Sequence, residues 1–304
     1  MITVAGEALI DIIVDPAGNV TSVVGGAPLN TARTIARLGV PATFLGGVSC
    51  DAFGNRIMRL LQDDGVGYAL GEQVVAPTTL AIAEIDAHGA ATYRFMMEGT
   101  SAAAVTPDLA LAHVGPDCGI LHVGTLALVL QPLADAVRAL VAASPDDRLV
   151  MVDPNCRPSV MTSSDVFEAT LAAVLERADV VKVSGDDLAF IHPGVDPVDA
   201  AIRIQRASGA VVLFTDGPKS VHVITEHDDV ILEVPRVRVI DTVGAGDSFS
   251  GGFLAQWANR GLGRADLANV DEVLAAARFG ISVAGITCQR PGADPPHIQE
   301  IDVS

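Results

Sequence analysis

Lysine is nearly absent. Lys182 and Lys219 are the only two in 304 residues, and neither follows a glycine, so no Gly-Lys-Ser/Thr phosphate loop exists. Positive charge as a whole is scarce: acidic residues outnumber Lys plus Arg by 37 to 19, a formal net charge of −18. A surface this negative suits neither a nucleic-acid backbone nor an anionic bilayer, and both partners are excluded. A few buried basic groups can still reverse the potential for a small anion. The four cysteines (Cys50, Cys118, Cys156, Cys288) form no CxxC, which excludes a zinc knuckle or redox pair and leaves buried thiols of a reducing cytosol. The seven histidines are scattered without metal-ligand spacing. Long apolar runs are missing too. The stretch 118–134 has no formal charge but contains His122, Gln131 and Pro132, and falls short of the ~20 apolar residues of a membrane helix. The opening MITVAGEALIDIIVD has no basic n-region and carries Glu7 and Asp11. It predicts no secretory leader and a cytoplasmic protein.

What is present is ordinary globular material: half the residues are apolar and 18% charged, enough for a proper core. Short Val/Ile/Leu-rich runs at 2–5, 42–48, 120–123, 149–152, 180–183 and 211–215 alternate with helix-period segments. In 165–177, for example, Val166, Phe167, Thr170, Leu171, Val174 and Leu175 share one face. Fully apolar strands alternating with helices predict an α/β fold, a mostly parallel sheet covered on both faces. Two stretches break the pattern. Residues 79–86 and 91–97 look like strands joined across Ala87-His88-Gly89, and 12–14 and 20–24 flank Pro16-Ala17-Gly18-Asn19. They read as a small β lid inserted at about 12–24 and 79–97, or else as extra edge strands of the main sheet. No linker separates two units, so 1–304 reads as one domain.

The most informative segment is Asp241-Thr-Val-Gly-Ala-Gly-Asp-Ser-Phe-Ser-Gly-Gly-Phe253, after a strand-like stretch (234–240) and opening an apolar helix pattern. Gly244-Ala245-Gly246 at a helix start leaves backbone N–H groups free for an anion. Asp247 is the odd member. It is either a helix-start acid meeting the dipole or a general base beside a phosphoryl group. Phe249 stands where a G-x-G-x-x-G fingerprint needs glycine, which disfavours a nicotinamide-dependent oxidoreductase. A second segment, Gly25-Gly26-Ala-Pro-Leu-Asn30, leads into a helix over 31–38 that stops at Gly39. It is either a Gly-Gly turn or a place of close approach to a polar ligand, with Asn30 able to donate and accept. Asp11, just after the first strand, lies where α/β sheets place ligands.

Together these segments resemble the PfkB (ribokinase-like) carbohydrate kinase family over most of the chain. Gly25–Gly39 resembles its first signature and Asp241–Phe253 its second. Gly46-Gly47-Val48, Asp153-Pro-Asn-Cys-Arg-Pro158 and Lys182-Val-Ser-Gly-Asp-Asp187 are weaker echoes. The GEALID and GGAPLN wording is most similar to bacterial fructokinases. The resemblance implies a ribokinase-like fold and ATP-dependent phosphorylation of a sugar primary hydroxyl, most readily fructose. By the same resemblance Asp247 is the base and Gly244, Ala245 and Gly246 the anion hole. Asp11, Gly25, Gly26 and Asn30 are sugar contacts, with Arg157 towards phosphate oxygens. Lys182, Ser184, Thr215 and Gly217 fall on the nucleotide side. The family's Asn-x-x-Glu motif, which organises Mg²⁺ through water, is replaced by Ser184 and Asp187. Asp241 and the Val243 carbonyl occupy the place of an activating monovalent cation such as K⁺; a hydrogen-bonded structural Asp241 is the other reading. Arg94, between Tyr93 and Phe95, faces solvent or reaches over the sugar, whereas Trp257 is packing. Arg290-Pro-Gly-Ala293 resembles the segment closing beside the nucleotide. Rival acceptors are 2-keto-3-deoxygluconate, ribose, a nucleoside or a phosphosugar. Only Arg33, Arg94 and Arg157 could meet a second anion, which favours a neutral sugar. A non-catalytic sensor on the same fold is the rival from another class. The lid's strand edges could pair with a second copy.

Overall fold

Six short apolar runs pair side by side as parallel strands. The computed structural model describes residues 1–86, 91–161 and 165–301. In chain order the strands are β1 (Ile2–Ala5), β2 (Leu9–Val14), β3 (Val20–Gly25), β4 (Ala42–Leu45), β5 (Gly67–Tyr68), β6 (Leu80–Ile85) and β7 (Ala91–Met96). They continue with β8 (Ile120–Gly124), β9 (Leu149–Asp153), β10 (Val180–Ser184), β11 (Val211–Thr215), β12 (Ser220–Ile224) and β13 (Asp229–Glu233). The helices are α1 (Ala27–Arg37), α2 (Ala52–Asp63), α3 (Pro107–His113), α4 (Leu133–Ala142) and α5 (Pro158–Met161). After them come α6 (Asp165–Leu175), α7 (Gly185–Ile191), α8 (Pro197–Ser208), α9 (Ala245–Asn259) and α10 (Val270–Thr287).

Among the described residues one nine-stranded sheet has the order β13-β12-β11-β10-β9-β8-β1-β4-β5. It is parallel from β11 to β5, with β12 and β13 antiparallel at one edge. Side chains alternate between its faces. Ile2, Val4, Ile120, Leu149, Met151, Val180 and Leu213 pack with α1, α2, α9 and α10. Leu121, Val123, Val150, Val152, Val181 and Val183 pack with α3, α4, α6 and α8. Trp257 is fully buried and stacks on Phe253, 5.8 Å between ring centroids, as packing requires.

The strand pairs set apart in the sequence form their own four-stranded sheet, β3-β2-β6-β7, so they do not extend the large one. The β2–β3 hairpin is antiparallel, whereas β2 and β6 run parallel. The proposed turn residues 87–89 lie outside the described residues. Several expectations change. Residues 234–240 are irregular: the Arg/Val alternation mimics a strand, but Pro235 cannot donate to a ladder. Helix α1 begins at Ala27, with Pro28 in its first turn, earlier than the expected 31. Asp11 does not follow the first strand of the large sheet but lies inside β2 of the small one. Cys118 and Cys156 are buried, but Cys50 is exposed. No helix among the described residues is long and apolar enough to cross a membrane.

Candidate active site

A cleft of about 990 Å³ opens between the small sheet and the carboxyl ends of β1 and β9, beside the start of α9. It is lined by Glu7, Asp11, Gly25, Gly26, Asn30, Arg157, Asp241, Val243, Gly244, Gly246 and Asp247, among others. Two sequence segments more than 200 residues apart therefore meet in one place. Tyr93 and Phe95 wall it on the small-sheet side and Gly292 and Ala293 on the C-terminal side.

Helix α9 starts on Gly244, which has left-handed φ (+77°), and no side chain caps it. Among the described residues the amides of Gly244, Gly246 and Asp247 have no protein acceptor. That of Ala245 already donates to the Thr242 carbonyl at 3.2 Å. The cradle is thus narrower than the sequence expectation, which included Ala245. Asp247 is buried at its floor. Its Oδ2 accepts from Asn30 Nδ2 at 2.9 Å and its Oδ1 from Asn155 Nδ2 at 3.5 Å. Burial pushes the Asp247 carboxyl up, while the Asn30 hydrogen bond, Lys182 and Arg157 pull against that rise. The result is a base stronger than a free carboxylate. Asn30 Oδ1 is buried without a partner, ready to accept from a ligand hydroxyl.

Asp11 stands over Gly25: a Cβ there would come within 2.1 Å of the Asp11 Oδ2, so this glycine makes room for a carboxylate of the chain itself. Burial raises Asp11 to about 6, against the pull of Arg157. Glu7, in the turn between β1 and β2, is raised to about 8 by burial, with one carboxyl oxygen unpartnered. Glu7 and Asn155 are site residues that the sequence reading missed. An acid immediately after an apolar strand, and the Asn of Asp153-Pro-Asn155, were the available signals. Asn155 has φ +39°, and its carbonyl and Oδ1 both accept from Arg157 Nη1 at 3.0 and 2.7 Å. Arg157 therefore braces this turn as well as lining the cleft.

The remaining candidates lie elsewhere. Arg94 does not line the cleft. Period-two alternation turns it to the opposite face from Tyr93 and Phe95, where it is 70% exposed and 3.5 Å from Glu84. Arg33 is buried on Asp64 at 2.6 Å and donates to the Ala293 carbonyl at 3.0 Å. Arg37 reaches Asp64, Asp294 and the Pro295 carbonyl, so α1 is stitched to the chain's last segment. Lys182 does not line the cleft: it is buried beneath Gly246, paired with Asp153 at 3.1 Å. Ser184 and Asp187 form a reciprocal cap on α7, and Asp187 also accepts from the Cys156 amide at 2.6 Å. Thr215, paired with Ser184, and Gly217 lie at the adjacent ends of β11 and its turn, beyond the cleft.

The metal expectations can be tested on these donors. No group of three His, Cys, Asp or Glu among the described residues could hold an ion. Both Asp187 oxygens already accept protein hydrogen bonds, so this carboxylate would meet Mg²⁺ only through water. Asp241 is half-buried and accepts from the Val243 amide at 3.0 Å and the Gly292 amide at 2.9 Å. This bracket lowers its pKa and matches the structural reading, and it leaves the remaining carboxylate lone pairs for a cation.

Residues 1–300 match the pfkB family carbohydrate kinases. The chain is 31% identical to a fructokinase of Rhizobium leguminosarum bv. trifolii over 263 residues, 84% of this chain and 79% of the relative. A fructokinase of Xylella fastidiosa, solved with bound ATP, superposes with a TM-score of 0.82 at 26% identity, covering 96% of this chain and 93% of that one. A fructokinase of Vibrio cholerae O395, solved with fructose, ADP and calcium, gives 0.79 at 27% identity, with 96% and 94% covered.

Proposed function

Because this chain belongs to the pfkB family of carbohydrate kinases and has their ribokinase-like fold, it is an ATP-dependent sugar kinase, and we propose that its acceptor is fructose. The observation that carries the reading is the buried Asp247 carboxylate, held between two asparagine amides beside unpartnered N–H groups at a helix start. Asp247 takes the proton of a primary hydroxyl. That oxygen attacks the γ-phosphorus in line, the bond to the β-phosphate bridging oxygen breaks, and ADP leaves. The Gly244 and Gly246 amides receive charge on the equatorial oxygens without reorganising. Asn30, Asp11, Gly25 and Gly26 hold the sugar. ATP lies on the Ser184–Thr215–Gly217 side. Asp187 would reach a nucleotide-bound Mg²⁺ through water, and the ion would supply charge neutralisation at the phosphates. Asp241 and the Val243 carbonyl form the monovalent-cation position, for K⁺.

A neutral acceptor follows from where the arginines are. Arg33 and Arg94 are turned away, Arg157 braces Asn155, and four carboxyl groups (Glu7, Asp11, Asp241, Asp247) line the cleft. A second anion, as on a phosphosugar or 2-keto-3-deoxygluconate, would meet repulsion from the charged Asp11, Asp241 and Asp247, whereas Glu7, raised to about 8, stays protonated at neutral pH. The small sheet acts as a lid within a single kinase unit, excluding water that would otherwise hydrolyse ATP. Its edge strands β3 and β7 are where a second copy would pair. A coupled ADP-release assay with fructose, ribose, 2-keto-3-deoxygluconate and adenosine side by side tests the acceptor. Fructose should give the highest kcat/KM, and a higher value with 2-keto-3-deoxygluconate would overturn the reading.

A further inference from the structure

Three neighbouring strands of the large sheet place polar side chains on the face covered by α9, at the level of its first turn. His122 on β8 shares the face of Ile120. Asp153 on β9 shares that of Leu149 and Met151, and Lys182 on β10 that of Val180. The pairing Val181↔Val152 places Lys182 beside Asp153 at the next position. Towards the amino ends of these strands Ile120, Leu149, Met151 and Val180 fill this face, and an unpaired charge beside them would be costly. Lys182 and Asp153 are only 4% and 5% exposed and 3.1 Å apart. Asp153 also accepts from Ser250 Oγ of α9 at 3.3 Å, which fastens the pair to the helix that carries Asp247.

The lysine ammonium lies directly under the cradle. A Cβ on Gly246 would be 2.9 Å from Lys182 Nζ, so the ammonium packs directly against the backbone of this glycine. We propose that Lys182 is a positioning residue for phosphoryl transfer: a buried cation that backs the Gly244–Gly246 cradle from below and keeps the neighbouring Asp247 in its proton-accepting form. The role rests on Asp247 being the base. It differs from the nucleotide contact expected from the sequence, because the side chain is walled off from the cleft by Gly246.

The surrounding charges agree with it. Asp247 faces Asn30 on α1, Glu7 in the β1–β2 turn, Arg157 and Asn155 after β9, and Lys182 and Asp153 from the sheet below. Asp187 at the head of α7 adds to the field at Lys182. Burial opposes the lysine's charge, but Asp153 and Asp187 restore it and hold its pKa above the ordinary value. Burial and Lys182 together hold His122 neutral, down to about 3. Lys182 is thus the cation of this buried group on the sheet side, and Arg157 is its counterpart on the cleft side.

The test is the neutral, similarly shaped Lys182→Met with Asp153→Asn and the double variant. Lys182→Met should lower kcat by about tenfold or more and leave the fructose KM within about threefold, with the acid limb of kcat/KM moved up by about one pH unit. Asp153→Asn keeps the cation and should not raise that limb. The double variant removes both charges and should regain thermal stability while staying slow, which a purely structural pair would not do. A double variant with turnover within a few-fold of wild type, or an unmoved acid limb in Lys182→Met, overturns the proposal. Should Lys182→Met fail to fold, the double variant decides. Asp247→Asn run alongside separates the two assignments. If it is active, the base assignment itself fails; if it is inactive while Lys182→Met is normal, only the lysine's role does.

Discussion

Replacing Asp247 by asparagine removes the proton acceptor and almost nothing else. The two side chains have the same shape, and the neighbours can adapt. Asn30 donates its Nδ2 to Asp247 Oδ2 at 2.9 Å while its own Oδ1 lacks a partner. A half-turn of the Asn30 amide therefore presents an acceptor to the new NH₂ group. Removing a carboxylate that burial already disfavours should leave thermal stability unchanged or slightly raised. Fructose affinity should stay within a few-fold, because Asp11 and the Gly25–Gly26 backbone remain. Turnover should fall by roughly 10²–10⁴, the contribution of a positioned base, which is about 3–5 kcal/mol on the barrier. Coupled ADP release gives kcat and KM, and a thermal melt confirms the fold. Turnover within a few-fold of wild type, in a variant with an unchanged melt, would remove Asp247 from the chemistry and refute the reasoning.

Stability should depend on pH through Glu7. Its folded pKa, about 8, is above the ordinary 4.5, so the folded state holds the proton more tightly. The stability it contributes is complete below about pH 4.5 and lost as pH rises through 8. Glu7→Gln should therefore raise Tm at pH 9 with little change at pH 4, and equal shifts at both would contradict the assignment. Arg94→Ala should leave kcat/KM for fructose unchanged, since its guanidinium is exposed and near Glu84 only at 3.5 Å. A loss above about threefold would return Arg94 to the acceptor side.

The parallel core was legible because strands buried on both faces must be apolar throughout, as Leu149–Val152 and Val211–Phe214 are. The edge strands β12 and β13 were not, since Ser220, Asp229 and Glu233 dilute the pattern where one side meets solvent. Conversely, residues 234–240 alternate like a strand but form no ladder, with Val234 donating to the Lys219 carbonyl and Ile240 to the Cys288 carbonyl at its two ends. In the site, glycines and Asp247 stood out because they are contiguous and chemically odd in a helix start. The arginines and Lys182 misled for one reason: their roles depend on partners far along the chain. Arg33 meets Asp64 and Ala293, and Lys182 meets Asp153. A single sequence displays the charge of a side chain and hides its counterpart.

The stitching of helix α1 to the final segment has a consequence for synthesis. Arg33 and Arg37 bind Ala293, Asp294 and Pro295, and the Gly292 amide steadies Asp241. A nascent chain has none of these fastenings until residues 292–295 have left the ribosomal tunnel, although its last strand ends at Glu233. Activity should consequently switch on once residues 292–295 can dock, and not grow gradually as the strands form. Translation intermediates stalled before Gly292 has been added should be silent even where their strands have formed.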